Sequence, residues 1–344
     1  MSNTTEEFLS DNFLSNSTIY SFDVLQNYVI SQLKEETNRI GSKKPYTLYG
    51  PIQYALSVGG KHIRPVFLLM ACNMFRGNLK QSIPAAIAIE IFHNFTLVHD
   101  DMMDHADIRR NKPTVIKKFG ENLALLSGDS ISILSYKYLL KQKMHNFSKI
   151  LELFTESALR VCEGQQYDLD YEEKEVSLQQ YLEMIRLKTA ELIACSLSLG
   201  ARLANASTED VNHIYDFGIN FGQAFQLQDD LMDVYANQDI FGKETGKDIV
   251  SNKKTYLLIK AMELASSEQK EELNYWIKKK NFEETDKIKA VKQIYNDLNI
   301  REITRNTIKE YYQEAIREME AINVNSDRKK ELISFTGKMI NRKK

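Results

Sequence analysis

The chain of 344 residues is poor in the groups that cross-link, break or anchor a polypeptide. Its three cysteines, Cys72, Cys162 and Cys195, form an odd set without metal-ligand spacing, which fits a reducing cytosol better than a disulfide framework. No proline follows Pro113, so helices can run uninterrupted through the remaining two thirds. Alternating strand patterns bounded by hairpin turns are missing, which argues against a β architecture. The longest apolar runs, such as 66–72, fall far short of a membrane span. A formal net charge of -2 gives no nucleic-acid surface, so positive groups that matter act locally. The amino terminus, MSNTTEEFLSDNF, lacks the basic and apolar blocks of a signal peptide. These absences predict a cytoplasmic protein with no integral membrane segment and no nucleic-acid partner.

What remains is 43% hydrophobic and 27% charged, enough to bury a sizeable core. Helix starts are readable at Ser82 before Pro84, at Ser177 with Gln180 three residues on, and at Ser207 with Asp210 three on. They predict helices over roughly 82–104, 177–204 and 208–236, and an all-α, single-domain helical bundle over 21–344. Residues 1–20 are expected to be disordered. The stretch from Ser266 to Arg305, dense in Lys and Glu, reads as a charged outer face, and Asn341-Arg342-Lys343-Lys344 as a solubilising tail.

Against this background two acidic clusters stand out. Asp100-Asp101-Met102-Met103-Asp104 and Asp229-Asp230-Leu231-Met232-Asp233 share one spacing, about 130 residues apart, inside apolar helical stretches. On a helix Asp100 and Asp104 share a face, as do Asp229 and Asp233 with Gln226 and Asp230 nearby. Carboxylates this close repel and, when partly buried, take up protons, so two matching sets make physical sense if a multivalent cation bridges them. Facing helices that clamp metal ions are a known bundle device. Magnesium suits the donors, because it takes a few carboxylates and reserves positions for phosphate oxygens. Either cluster alone could be an inert acidic turn, a reading that the second copy weakens.

Three basic loops accompany the clusters: GGKHIRP at 59–65, IRRNKPT at 108–114, and GKETGKD at 242–248 followed by Lys253-Lys254. Adjacent guanidinium groups suit bidentate phosphate contacts, and three such loops imply more than one diphosphate to neutralise.

In this order the motifs GGKHIRP, HDDMMDHADIRRNKPT, GQQYD, LKTAEL, FQLQDDLMD, GKETGKD and NKKTY resemble the trans-isoprenyl diphosphate synthases, the polyprenyl synthetase family that includes farnesyl and geranylgeranyl diphosphate synthases. The resemblance covers about Gly50 to Tyr256. It implies the isoprenoid synthase fold, one large helical bundle with a central cavity, formed as a homodimer. It further implies that Asp100, Asp101, Asp104, Asp229, Asp230 and Asp233 bind magnesium, three ions per site. Arg109, Lys188, Lys243 and Lys253 would contact the allylic diphosphate. Lys61, Arg64, His93 and Arg110 would hold isopentenyl diphosphate without metal. Lys188, Thr189 and Gln226 would surround the developing allylic cation. Asp168 lies in a family motif but receives no step. A lone histidine on an apolar helix is usually a core residue, and only the resemblance assigns His93 a ligand.

In the family, bulk just before the first cluster limits product length, which points to Phe95 and Thr96 and to products of fifteen to twenty carbons. Ideal geometry places Thr96 about 40° from Asp100 around the helix and Phe95 about 140° away, so spacing alone does not aim Phe95. Departures from the family pattern are His62 for Arg or Lys, Asn111 for Gly, Ile116 for His and Leu257 for Pro; those beside the arginine loop are expected to alter affinity rather than abolish activity. Rival readings are a class I terpene cyclase, which has no need of Lys61, Arg64 and Arg110 together, and a non-catalytic subunit, which would tend to lose an aspartate cluster.

Overall fold

A computed structural model describes residues 15–143, 147–172, 174–236 and 245–342. The helices in chain order are α1 Phe22–Gly41, α2 Tyr46–Ser57, α3 Ile63–Met74, α4 Leu79–Met103, α5 Val115–Phe119, α6 Glu121–Leu139, α7 Phe147–Tyr171, α8 Leu178–Ile185, α9 Glu191–Leu203, α10 Thr208–Tyr235, α11 Lys247–Val250, α12 Tyr256–Leu264, α13 Ser267–Lys278, α14 Glu284–Asp297, α15 Ile300–Ala321 and α16 Ser326–Ile340. Among the described residues the only strands are the antiparallel pair β1 Ile108–Arg109 and β2 Lys112–Pro113. The all-α expectation therefore holds. By backbone contacts the chain groups into two compact units: Met1–Ser157 with Leu192–Tyr215 and Ala321–Ile333, and Ala158–Glu191 with Asp216–Glu320 and Ser334–Lys344.

In the first unit α4 packs most extensively on α6 and then on α3. From Ala85 to Phe92 every residue of α4 is buried, which is the signature of a helix enclosed on all sides rather than an amphipathic one. Glu90 is the one polar residue within this stretch. The helix begins earlier than expected: Asn78, in extended conformation, accepts the Gln81 N–H (3.1 Å), while Ser82 is buried and donates to the Asn78 carbonyl (2.9 Å). Ser82 fails as the start because Asn78 already supplies the cap one turn upstream. Gly200 lets α9 lie directly on α3, since a Cβ there would stand 2.1 Å from the Leu68 carbonyl oxygen.

Most of the stretch expected to be disordered, residues 1–14, lies outside the described residues. Ser15–Tyr20 are described, and Arg328 on α16 binds them to the end of α3. Its guanidinium donates to the carbonyls of Asn73 (2.6 Å), Met74 (2.8 Å), Ser17 (3.1 Å) and Asn16 (3.1 Å). The Asn73 and Met74 carbonyls lie at the C-terminus of α3, where a cation meets the favourable end of the helix dipole.

The second unit contains α8, which opens on the expected capping box: Gln180 N–H to Ser177 Oγ at 3.3 Å, and Ser177 N–H to Gln180 Oε1 at 2.9 Å. The expected helix over 177–204 is present but interrupted by a π-helical turn, Arg186–Ala190. The stretch read as a charged outer face is only partly so. Leu273, Lys287, Val291, Ile294 and Tyr295 are buried, giving α13 and α14 an inner face that their Lys and Glu content conceals.

Arg328→Met should destabilise the protein by about 3 kcal/mol, because four carbonyls lose charged donors while the apolar stem is kept. Urea unfolding followed by circular dichroism measures this; an unchanged midpoint would mean the clamp is idle.

Candidate active site

In the first unit the acidic cluster lies at the end of α4, where the chain reverses. His105 adopts a left-handed conformation (φ 50°), and the Ala106 N–H bonds back to the Asp101 carbonyl at 2.9 Å. The reversal feeds the hairpin, whose two-residue turn is Arg110-Asn111 with φ 53° and 60°. Two positive φ values define the turn type that matches strand twist, and Asn tolerates that conformation well, so Asn111 serves where Gly is commoner. The hairpin carries Arg109 back to the cluster: Nη2 donates to Asp100 (2.8 Å) and Nε to Asp101 (2.6 Å). Asp101 is buried, and burial raises its pKa against the opposing pull of Arg109. Asp104 is the exposed C-cap.

Next to it, basic groups assemble around Glu90, which is 2% exposed. His62, left-handed at φ 49°, places Nδ1 2.8 Å from Glu90 Oε1. Arg64 Nη1 lies 3.2 Å from His93 Nε2. Burial lowers the Arg64 pKa to about 10, partly offset by Glu90. It also holds His93 well below the usual histidine range, reinforced by Arg64, Arg110, Arg109 and His62, so the imidazole is neutral and its Nε2 accepts from Arg64. Arg110 reaches the same place because residue 60 has no side chain: a Cβ on Gly60 would lie 2.5 Å from Arg110 Nη1. Lys61 is exposed on this loop, its carbonyl accepting from Gln26. Phe95 tilts against Phe92 (5.3 Å) and meets His99 edge-on (4.8 Å), while the Thr96 hydroxyl donates to the His93 carbonyl at 2.8 Å.

In the second unit α10 presents Gln226, Asp229, Asp230 and Asp233 at helical spacing. Asp230, 4% exposed, accepts from Gln226 Nε2 (2.9 Å) and from the Tyr181 hydroxyl. Gln226 accepts from Thr189 Oγ1 at 2.9 Å, which ties α10 to the π-helical turn. On the same turn Lys188 pairs with Asp168 at 2.5 Å. The Asp248 N–H donates to Asp233 Oδ2 at 3.0 Å. Burial raises the pKa of Asp230 and Asp233. Asp248 is pushed up to about 7 by burial and by the charges of Asp230, Asp233 and Asp168, with Lys253 opposing. Arg342 pairs with Asp229. Lys243 lies outside the described residues.

Residues 45–297 match the polyprenyl synthetase family. The chain belongs to this family. A geranylgeranyl diphosphate synthase of Methanosarcina mazei is 38% identical over 223 residues, 64% of this chain and 69% of the relative. One of Sulfolobus acidocaldarius is 37% identical over 255 residues, 72% of this chain and 77% of the relative. A solved geranylgeranyl pyrophosphate synthase structure superposes with a TM-score of 0.89 at 38% identity, covering 94% of this chain and 100% of the other. This polyprenyl synthetase is accordingly a prenyltransferase, an all-α enzyme of a family that uses divalent metal.

The acidic residues suit such a metal. Burial raises the pKa of Asp230, Asp233 and Asp248, with neighbouring carboxylates adding to it at Asp230 and Asp248, and a hard divalent cation would favour their charged forms. Among the described residues, however, no three His, Cys, Asp or Glu side chains already converge as a metal centre; several of the aspartates are bonded instead to Arg109, Arg342, Tyr181, Gln226 and backbone N–H groups.

Four participants escaped the sequence reading. Glu90 and Tyr181 look like ordinary members of helices, and only their contacts reveal them. Asp248 stood inside a recognised motif without a role. Arg342, read as part of a solubilising tail, is instead an ion-pair partner of Asp229; its guanidinium also lies 4.8 Å from the Phe225 ring. The π-helical turn is held by two close approaches: a Cβ on Gly164 would stand 2.3 Å from Lys188 N, and one on Gly222 2.5 Å from Ala190 Cα. π-helical turns recur at functional sites because the extra residue re-aims side chains. Gly164→Ala should therefore displace Lys188 and Thr189 and lower prenyl-transfer turnover by on the order of tenfold or more. Steady-state kinetics alongside a thermal melt check this; full turnover would show that the turn tolerates the shift.

Proposed function

We propose that this polyprenyl synthetase joins an allylic diphosphate to isopentenyl diphosphate head to tail and stops at fifteen to twenty carbons, acting as one prenyl synthase domain over residues 21–344. The observation that carries this reading is the basic pocket of Arg64, His93 and Arg110 around Glu90, built from residues other than the aspartates. Isopentenyl diphosphate needs such a metal-free site. A cyclase does not, and a non-catalytic subunit has no reason to keep two acidic clusters.

Asp100, Asp101, Asp104, Asp229, Asp230 and Asp233 would hold three magnesium ions, which supply positive charge to the departing diphosphate. Arg109, Lys188, Lys243 and Lys253 bind that diphosphate with fixed cations. Lys61, Arg64, His93 and Arg110 orient isopentenyl diphosphate so that its double bond attacks the allylic carbon. Thr189 and Gln226 turn oxygen dipoles toward the positive charge that develops there, and the released diphosphate takes the proton lost afterwards. Apolar side chains exclude water, which would quench the cation. Phe95 and Thr96 set the length at which the product stops.

The protein is further proposed to act in the cytoplasm as a homodimer. Among the described residues no helix is long and apolar enough to cross a membrane. Leu126, Ile133 and Leu140 recur seven residues apart along α6 and its C-cap and are 53%, 70% and 61% exposed, a stripe suited to a second copy.

Incubation with magnesium, labelled isopentenyl diphosphate and each allylic primer should give linear products of fifteen to twenty carbons by mass, and chelation should abolish them. Release of cyclic hydrocarbon without coupling would overturn the assignment. Phe95→Ala should lengthen the products in the same assay; an unaltered distribution removes Phe95 as the stop.

A further inference from the structure

Lys287 on α14 is 1% exposed, and among the described residues no carboxylate forms a salt bridge with it. Its ammonium donates to the Val250 carbonyl at 3.0 Å and to Asn252 Oδ1 at 2.6 Å, and lies 4.4 Å from the centre of the Phe282 ring. A buried cation without an anionic partner is costly, and burial lowers its pKa accordingly. A methionine would fill the same volume without that cost, so the charge itself must hold something in place.

What it holds is the turn after α11. Val250 ends that helix, and Asn252 adopts a left-handed conformation at φ 58°. The Asn252 side chain is fixed at both ends: Oδ1 accepts from Lys287, and Nδ2 donates to the Ile277 carbonyl at 3.1 Å. The next residue is Lys253, whose N–H returns to the Asp248 carbonyl at 2.9 Å. The Lys253 charge is felt by Asp230, Asp233 and Asp248. An unbroken chain of short contacts thus runs from Lys287 through Asn252 to the backbone that carries Lys253.

We propose that Lys287 is a positioning residue of the prenyl-transfer site: by locking Asn252, it fixes the turn that presents Lys253 to the allylic diphosphate. The proposal rests on the reading that Lys253 contacts that diphosphate. Lys287 touches no substrate. It lies outside the stretch that carries the motifs, in a helix whose composition suggests only a solvated exterior.

The test compares Lys253→Ala, Lys287→Met and the double variant, with geranyl diphosphate, an allylic primer extended whether products stop at fifteen or twenty carbons, as the varied substrate and magnesium and isopentenyl diphosphate saturating. Lys287→Met should raise the KM for geranyl diphosphate by on the order of tenfold and leave the KM for isopentenyl diphosphate unchanged. A loss of folded enzyme would lower kcat per mole of protein without moving either KM, so the split separates positioning from stability. Added to Lys253→Ala, the Lys287 substitution should cause no further rise. An unchanged KM in Lys287→Met, or additive effects in the double variant, overturns the proposal while the role of Lys253 stands. No effect of Lys253→Ala itself sinks the underlying reading instead. Should Lys287→Met fail to fold, Asn252→Ala removes the same link and is judged by the same comparison.

Discussion

Buried negative charge is the constraint to which both units answer. An ionised carboxylate removed from water costs several kcal/mol unless fixed dipoles or cations replace its hydration. Asp101 and Asp230 are each only 4% exposed, and burial pushes both toward protonation. The two units compensate differently. In the first, Arg109 delivers a full positive charge to Asp100 and Asp101 together. In the second, Asp230 receives a phenol and an amide, and Asp233 receives backbone N–H groups, all neutral. Dipoles stabilise a charge without cancelling it. The uncancelled charge therefore lies on Asp230 and Asp233, where Lys253 only partly offsets it, whereas Asp229 has Arg342; burial and these neighbouring carboxylates push Asp248 up to about 7.

That compensation requires backbone conformations that regular helices do not offer. The hairpin bringing Arg109 home needs a left-handed His105 and a turn of two positive-φ residues. The π-helical turn inserts one extra residue between α8 and α9, and Lys188 and Thr189 lie on it. Glycine at 164 and 222 is what lets neighbouring helices come close enough to hold that turn in place. Each irregularity costs stability locally, and each carries a residue bonded to an acidic side chain or to the amide that supports one.

These irregularities also mark where a sequence stops being legible. The expected helices over 177–204 and 208–236 appear nearly at their expected bounds, because Ser177 and Ser207 are chemical signals that act within one turn. Ser82 misled because a competing cap at Asn78 is equally local and one turn earlier. The acidic clusters and basic loops were visible as residue types at set spacing. Their partners were not: Tyr181 meets Asp230 across 49 residues of chain, and Arg342 meets Asp229 across 113. No periodicity encodes such a pairing. Composition failed at α14 for a related reason, since Lys counts as a surface residue until the carbonyls waiting for it are known.

The basic pocket shows the same electrostatics with the sign reversed. Arg110 lowers the pKa of Arg64, and both arginines lower that of His93. Glu90 opposes both of them, with Asp101 also acting on Arg110; Glu90 Oε1 is on His62, and Oε2 is buried without a hydrogen-bond partner among the described residues. Keeping His93 neutral limits the repulsion and turns the imidazole into an acceptor for Arg64. The assembly still retains net positive charge, which an anion without its own metal would satisfy. A diphosphate carrying divalent ions would instead be repelled here and drawn to the uncancelled charge around Asp230 and Asp233. On the proposed reading, two substrates bearing the same diphosphate group are told apart by whether they arrive with metal, through the sign of the charge that each site leaves unneutralised.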